Sequence, residues 1–342
     1  MKHYLEQVLT MSRNRWAMLT VDTEALPKRA SDDHVKRLIW GEHEAGTAGI
    51  RELCAAGNDV GVKHVFFVDF CGAYARKEEV SEAVAWLDRD GQDVQLHVHP
   101  EYLPADFWPR HGFKEKPRYL NQYGFDKAEF TISFFGKMIS DITGKPVLGF
   151  RAGSFRWNAD TLRALEVANI KVSFNNSMHA SIVGQCVYSE PTNAPYVWSN
   201  GIIEVPMTER QFYPRIRKGL WALTDFFVNH LNIRGKFPDF GNEWWRRLQF
   251  PASYGNFPTH IVGPYKSNNL LVMLMHSWSL LYWDKDGYGA YRDDRRFENY
   301  RKLIRWMSKN YDIITTADFL DLHARGKIKT THAVDIAKAE KQ

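Results

Sequence analysis

Cysteine is scarce in this chain. Cys54, Cys71 and Cys186 are the three present in 342 residues. They are odd in number and without Cys-x-x-Cys spacing, which excludes a disulfide framework or a cysteine zinc knuckle and fits a reducing compartment. Long apolar runs are also missing. The strongest, Leu270 to Met275, falls far short of the roughly 20 residues that a membrane-spanning helix needs, so it reads as a buried strand and no transmembrane segment is expected. The N-terminal MKHYLEQVLTMSRNR lacks the apolar core and small-residue cleavage site of a secretory signal, and a cytoplasmic location is expected. Neither sign of charge dominates, with 45 Lys plus Arg against 40 Asp plus Glu. The densest basic stretch, Arg292, Arg295, Arg296, Arg301 and Lys302, is interrupted by Asp293, Asp294 and Glu298. That is a solvated helix face rather than a nucleic-acid surface, and no nucleic acid is expected as a partner. There is no internal repeat, heptad run, low-complexity segment or Gly/Ser/Pro-rich linker to divide the chain. One elaborated domain, residues 12–326, is expected, followed by a loosely held tail, 327–342.

The composition is that of an ordinary globular protein, 44% hydrophobic and 25% charged, with an aromatic content of 14% that includes 12 tryptophans. Strand and helix patterns alternate. RWAMLTVD reads as a strand, a helical stretch begins near Val35 and runs through IRELCAAG to Gly57, and KHVFFVDF returns to strand. KEEVSEAVAWLDRDG is helical, DVQLHVH a strand, and AEFTISFFGKMISDITG a helix before the short VLGF strand. ADTLRALEVAN and IKVSFN continue the alternation, as do LLVMLMHS, RRFENYRKLIRWMSKN, YDIITT and ADFLDLHARG, with Asn158 and Thr316 as helix caps. This order predicts an α/β fold around a largely parallel sheet. GLWALTDFFVNHLNI reads as helical. Around it, residues 211–264 form an aromatic-rich insertion, marked by Trp244 and Trp245, suited to covering one end of the sheet. Trp16, by contrast, belongs to a core strand.

Several polar residues stand at the ends of apolar strands. Asp22 and Glu24 close WAMLTV; on a continuing strand they point to one side and their repulsion demands a cation, whereas a strand ending at Val21 leaves them as solvated loop acids. His97 and His99 alternate with Leu96 and Val98, so both imidazoles share one side of a strand. Together with an acid they suit a zinc ion with an open position, or else they decorate a solvated edge. Arg151 directly follows VLGF and either fixes a catalytic carboxylate or makes a structural ion pair, while Arg156 belongs to the helix end. His276 ends the most apolar strand, placed to donate a proton. Trp278 just behind it is either a wall for a sugar ring or acyl group, or core packing. Glu204 in GIIEVPMT either faces the same site or is solvated.

In motif order, from Trp16 to Leu322, these residues resemble the polysaccharide deacetylase family (NodB-like, carbohydrate esterase family 4), in a divergent branch with an Asp-x-Glu first motif. By that resemblance Asp22 is the base, and Glu24, His97 and His99 hold the metal, the usual three- or four-residue His spacing being contracted to His-x-His. Arg151 orients Asp22 within FRAGSFRWNADTL, where Gly153 replaces the usual proline after Arg-Ala. Glu204-Val205-Pro206 resembles the fourth motif. LMHSWS resembles the last, with His276 as the acid and Met275 and Trp278 at the acetyl pocket. The resemblance implies a distorted (β/α)7-type barrel, a divalent metal, Zn²⁺ foremost, and removal of an acetyl group from an N-acetylated amino sugar in surface polysaccharide biosynthesis. The substrate would be a polysaccharide, or a nucleotide- or lipid-linked sugar precursor. Deacylation of another linear amide or ester, or a catalytically inactive carbohydrate-binding or scaffold protein on the same fold, remains open at this stage, as does the oligomeric state.

Overall fold

The computed structural model describes residues 14–30, 33–43, 46–210, 250–251, 269–283, 289–292 and 294–340. Most of the 211–264 insertion, with its expected helix and both Trp244 and Trp245, lies outside the described residues.

Strands β1 (Trp16–Thr23), β2 (Val65–Asp69), β3 (Asp93–Val98), β4 (Gly149–Ala152) and β5 (Val172–Ser173) are separated in the chain by helices α1 (Ile50–Asn58), α2 (Lys77–Arg89), α3 (Phe125–Thr143) and α4 (Ala159–Val167). After β5 come β6 (Tyr196–Trp198), β7 (Ile203–Glu204) and β8 (Leu270–His276). Helix α5 (Asp294–Asn310), β9 (Asp312–Ile313), helix α6 (Thr316–Ala324) and β10 (Ala333–Val334) complete the sheet and its cover. The strand order is β8-β1-β2-β3-β4-β5-β7-β6-β10, with β9 also on β1. Every pairing is parallel except that of β6 with β7. The sheet curls into an open half-barrel with flanking helices. Beyond β7, Thr208 reaches the free edge of β8, exchanging bonds with the Val272 backbone at 2.9 and 3.3 Å. The distorted barrel expected from the sequence is the fold observed.

Side-chain alternation divides the sheet into two faces. Ala17, Leu19, Val21, Leu96, Val98, Leu271, Met273 and Met275 belong to the core that packs under the helices. Trp16, Met18, Phe67, Val172, Phe174, Leu270, Val272 and Leu274 form the inner core of the barrel. The same period aims Thr20 and Asp22 of β1, His97 of β3 and His276 of β8 inward. Parallel register then sets them level at the C-terminal strand ends, where Asp22 pairs with His276 and His97 with Arg151. That rim is where barrels of this class place their chemistry.

Three local expectations are corrected. The helix expected from Val35 to Gly57 is broken into a turn at Lys36–Trp40, an antiparallel ribbon of Glu42–His43 with Gly46–Thr47, and α1. Gly41, at φ +69°, and Gly49 allow this: a Cβ on Gly41 would lie 2.3 Å from Ala48 C, and one on Gly49 2.3 Å from Ile39 O. The cap of α6 is Thr315, one residue before Thr316: its side chain accepts from Asp318 N while Asp318 accepts from Thr315 N. Thr316 N instead donates to Asp93 Oδ2 at 2.6 Å. Within the expected tail, residues 328–340 are held in place. β10 adds to the sheet edge beside β6, burying Val334 and Ala339.

Candidate metal centre

Glu24 Oε1 stands 2.9 Å from His97 Nε2 and 3.1 Å from His99 Nε2. All three residues are at most 4% exposed, so neither acid of the Asp-x-Glu pair is a solvated loop residue, Asp22 being equally enclosed. The far nitrogen of each imidazole is engaged. His97 Nδ1 donates to Arg151 O at 2.7 Å, and His99 Nδ1 pairs with Glu101 Oε1 at 2.9 Å. A proton on each Nδ1 leaves both Nε2 atoms as bare acceptors, facing a carboxylate oxygen that is also an acceptor. Three lone-pair atoms in contact repel unless positive charge sits among them. Two nitrogens and one oxygen, lying within 4.8 Å of one another, suit a divalent metal with room for a further ligand. A second group, Asp22, Glu24 and His276, shares Glu24 and meets the same spacing.

The electrostatics carry the same signature. Burial acts to raise the Glu24 carboxyl, yet His99 and His97 beside it hold it well below the usual carboxylate range. Burial acts to lower both imidazoles. Asp22 and Glu24 nevertheless lift His97 above its ordinary value, and Glu24 and Glu101 lift His99 well above it. His276 Nε2 lies 4.0 Å from Glu24 Oε1. Enclosure pushes its imidazole down despite the nearby carboxylates, and Arg29 adds to that direction.

Arg151 is fully buried and binds Asp22 Oδ1 at 2.5 Å, Thr20 Oγ1 at 2.9 Å and Met207 Sδ at 3.2 Å, with the Phe67 ring 4.3 Å from its guanidinium carbon. Asp22 is thus held from the side while its other oxygen faces His97 Nε2 at 4.0 Å. Asp69, the buried acid that ends VFFVD, fixes the second histidine from behind. It accepts His99 N at 2.9 Å, Cys71 N at 3.1 Å and Gly72 N at 2.8 Å.

The centre opens into a cleft of about 550 Å³ whose walls include Tyr102, Phe155, Leu274, His276 and Trp278. Asp22, Glu24, His97, His99, Arg151 and His276 are therefore brought together, and Trp278 both lines the cleft and packs in the core, stacked on His276 at 4.7 Å. Two expected substrate contacts are not there. Met275 points to the helix side of β8, and its neighbour Leu274 lines the cleft in its place. Glu204 is sealed in the interior, where Oε1 accepts Asn175 N at 2.6 Å and Asn176 N at 2.8 Å and Oε2 accepts Trp198 Nε1 at 3.0 Å. It braces the turn after β5 instead of facing a ligand. The sequence reading missed Asp69 and Glu101; Asp69 closes the apolar strand VFFVD, the same signal that singled out Asp22, whereas Glu101 lies in the turn Pro100–Tyr102 three residues past the end of β3, where no strand pattern marks it.

No family model matches the sequence, and no curated protein matches it by sequence. Solved structures do match in fold. A Mycobacterium smegmatis structure described as a polysaccharide deacetylase aligns with TM-score 0.51 at 13% identity, over 94% of each chain. A Parabacteroides distasonis structure described as a glycoside hydrolase/deacetylase aligns with TM-score 0.54 at 13% identity, over 94% of this chain and 74% of that one. The 4-alpha-glucanotransferase of Thermococcus litoralis gives TM-score 0.54 at 11% identity over 95% of this chain, which spans only 42% of that enzyme. Structures described as deacetylases thus share one barrel architecture with a glucanotransferase, and chemistry has to be argued from the site.

Proposed function

We propose that this chain is a divergent member of the polysaccharide deacetylase family, a metal-dependent hydrolase that removes an acetyl group from an N-acetylated amino sugar. The reading includes a place in surface polysaccharide biosynthesis on the cytoplasmic side, which the buried free thiols of Cys54, Cys71 and Cys186 suit. One observation carries it: Glu24 Oε1 and two imidazole Nε2 atoms converge beside a carboxylate, Asp22, that is held by a buried arginine.

Glu24, His97 and His99 would hold the metal, Zn²⁺ by their donor set; when bound it supplies Lewis acidity toward the acetyl carbonyl oxygen and lowers the pKa of water. Asp22 accepts the proton of the attacking water, and its ion pair with Arg151 keeps the accepting oxygen in place. The bond between the acyl carbon and nitrogen breaks, and His276 delivers a proton to the departing amine. Solvent then takes up the proton held by Asp22 and supplies one to His276, which restores both groups. Trp278 fixes the His276 ring face to face and closes the acyl side of the cleft.

The test is acetate release from N-acetylated and O-acetylated sugars by zinc-loaded protein, with metal content measured alongside. About one zinc per chain is expected, together with acetate release that Asp22→Asn abolishes while zinc stays bound. Protein that binds no zinc, or an Asp22→Asn variant that loses zinc along with activity, overturns the assigned roles.

A further inference from the structure

Glu24 stands between two sets of donors. It follows β1, whose neighbour β8 carries His276, while on the other side β3 brings His97 and, just past its end, His99. The donors accordingly fall into two groups of three that meet at Glu24, one completed by His97 and His99 and the other by Asp22 and His276, with the atoms of each group within 4.8 Å of one another. The metal assigned above takes the first group. The second keeps atoms in reserve. Asp22 Oδ2 is 4.0 Å from His97 Nε2, and His276 Nε2 is 4.0 Å from Glu24 Oε1, both beyond hydrogen-bond distance, and among the described residues neither atom makes a hydrogen bond.

The two groups differ in access. Glu24, His97 and His99 are at most 4% exposed, whereas the His276 side chain is 35% exposed and lines the cleft. The second group is therefore the outer one, open to solution once the inner one is filled. One imidazole nitrogen and two carboxylates suit a zinc-like divalent ion and leave a position for water. A carboxylate shared between two ions is the arrangement of two-metal hydrolytic centres. Charge sets the order of filling. An ion arriving second meets the first ion, Arg151 bound to Asp22 at 2.5 Å, and Arg29, which lies over the Trp278 ring that stacks on His276.

We infer that the centre takes a second divalent ion, held by Asp22, Glu24 and His276, and that this outer ion switches the hydrolase off by engaging the two groups that accept and deliver protons. Its effect on turnover rests on the hydrolase reading, but its binding is measurable without turnover.

Zinc is titrated by calorimetry into the full-length protein already carrying one equivalent of zinc, and acetate release from N-acetylated sugars is followed over the same zinc range. About one further zinc per chain is expected, bound at least about 100-fold more weakly than the first. Acetate release should fall at least about tenfold as it binds. His276→Gln, at a position exposed enough to leave the core intact, should remove the further event while holding the first equivalent within about threefold of wild-type affinity. Asp22→Asn should weaken the further event at least about tenfold, and magnesium, which takes oxygen ligands, should not produce it. No further zinc up to about 1 mM overturns the inference. So does a further event that His276→Gln leaves in place, a first equivalent that the same variant weakens equally, or turnover unchanged as the event proceeds. A further zinc with this His276 dependence, in protein that releases no acetate at any zinc level, removes the hydrolase reading and leaves the second site standing.

Discussion

Arg151 Nη1 lies 2.5 Å from Asp22 Oδ1, and neither side chain is more than 5% exposed. An ion pair this enclosed exists because both ends have further partners: Thr20 and Met207 on the arginine, and the histidine ring beside the acid. Strand register creates it. Asp22 and Arg151 come from strands separated by two others, and the curl of the sheet turns their strand ends toward a common interior.

Removing one partner of such a pair leaves a charge buried without compensation. Arg151→Met should therefore destabilise the fold by about 3–5 kcal/mol, measured by urea unfolding, in addition to abolishing activity. A loss below about 1 kcal/mol would mean that water reaches Asp22 and that the arginine does not seal it.

Glu101 is the partner that assigns the His99 tautomer, through Oε1 at 2.9 Å from Nδ1. Glu101→Ala frees the ring to rotate and should weaken zinc binding about 10–100-fold, whereas Glu101→Gln, which keeps an acceptor at that place, should lose less. Zinc titration by calorimetry separates the two. Alanine and wild-type proteins of equal affinity would show that Asp69 and the backbone suffice to hold His99.

Much of this centre was legible in the sequence because strand period and apolar run length are local properties. Leu96 and Val98 flanking His97 fix its side, and LLVMLM delivers His276 to a strand end. Met275 shows the limit. It and Leu274 are equally apolar, and only the inward period shared with His276 distinguishes the residue that meets the cleft from the one that meets the helices. Glu204 illustrates a different limit. An acid at a strand end can serve a ligand or saturate backbone N–H groups, and the choice depends on where residues 175 and 176 turn, which no local pattern encodes. The C-terminal segment is polar enough to read as loose, yet the open edge of β6 offers unpaired backbone groups that only tertiary structure reveals.

His64 predicts a pH dependence independent of the metal centre. It is fully buried, with Nε2 2.5 Å from Tyr300 Oη. Burial, reinforced by the charge of Lys63, pushes its imidazole down to about 4. The unfolded chain takes up this proton near pH 6.5, so the folded state refuses a proton that the unfolded state accepts. Stability is accordingly full above about pH 6.5 and falls as the pH drops toward 4, by up to about 3 kcal/mol from this residue. His64→Gln should flatten that part of the stability profile relative to wild type. Parallel profiles for the two proteins would show that His64 ionises normally in the fold.

Gly153 links two features that set this chain apart from the polysaccharide deacetylase motifs it resembles, the His-x-His spacing and the glycine after Arg-Ala. A Cβ at position 153 would lie 2.5 Å from both Cγ and Nδ1 of His99 and 2.6 Å from Val98 O. With a single residue between the histidines, the second ring lies against the turn that follows Arg151 and Ala152. Proline, or any residue with a side chain, would occupy the same space. The atom it would strike is the nitrogen that binds Glu101, so crowding and loss of ring orientation arrive together. Gly153→Ala should cost about 1–3 kcal/mol through overpacking, and should weaken zinc binding at least about tenfold by displacing the ring. In a His99→Ala background the ring is gone, while the Val98 carbonyl, 2.6 Å from the Cβ position, still opposes the new methyl group. The same substitution should then cost less, with a coupling of about 0.5–3 kcal/mol in a double-mutant cycle. Additive losses would show that the glycine answers to the backbone alone, and that the contracted histidine spacing and the missing proline are unrelated.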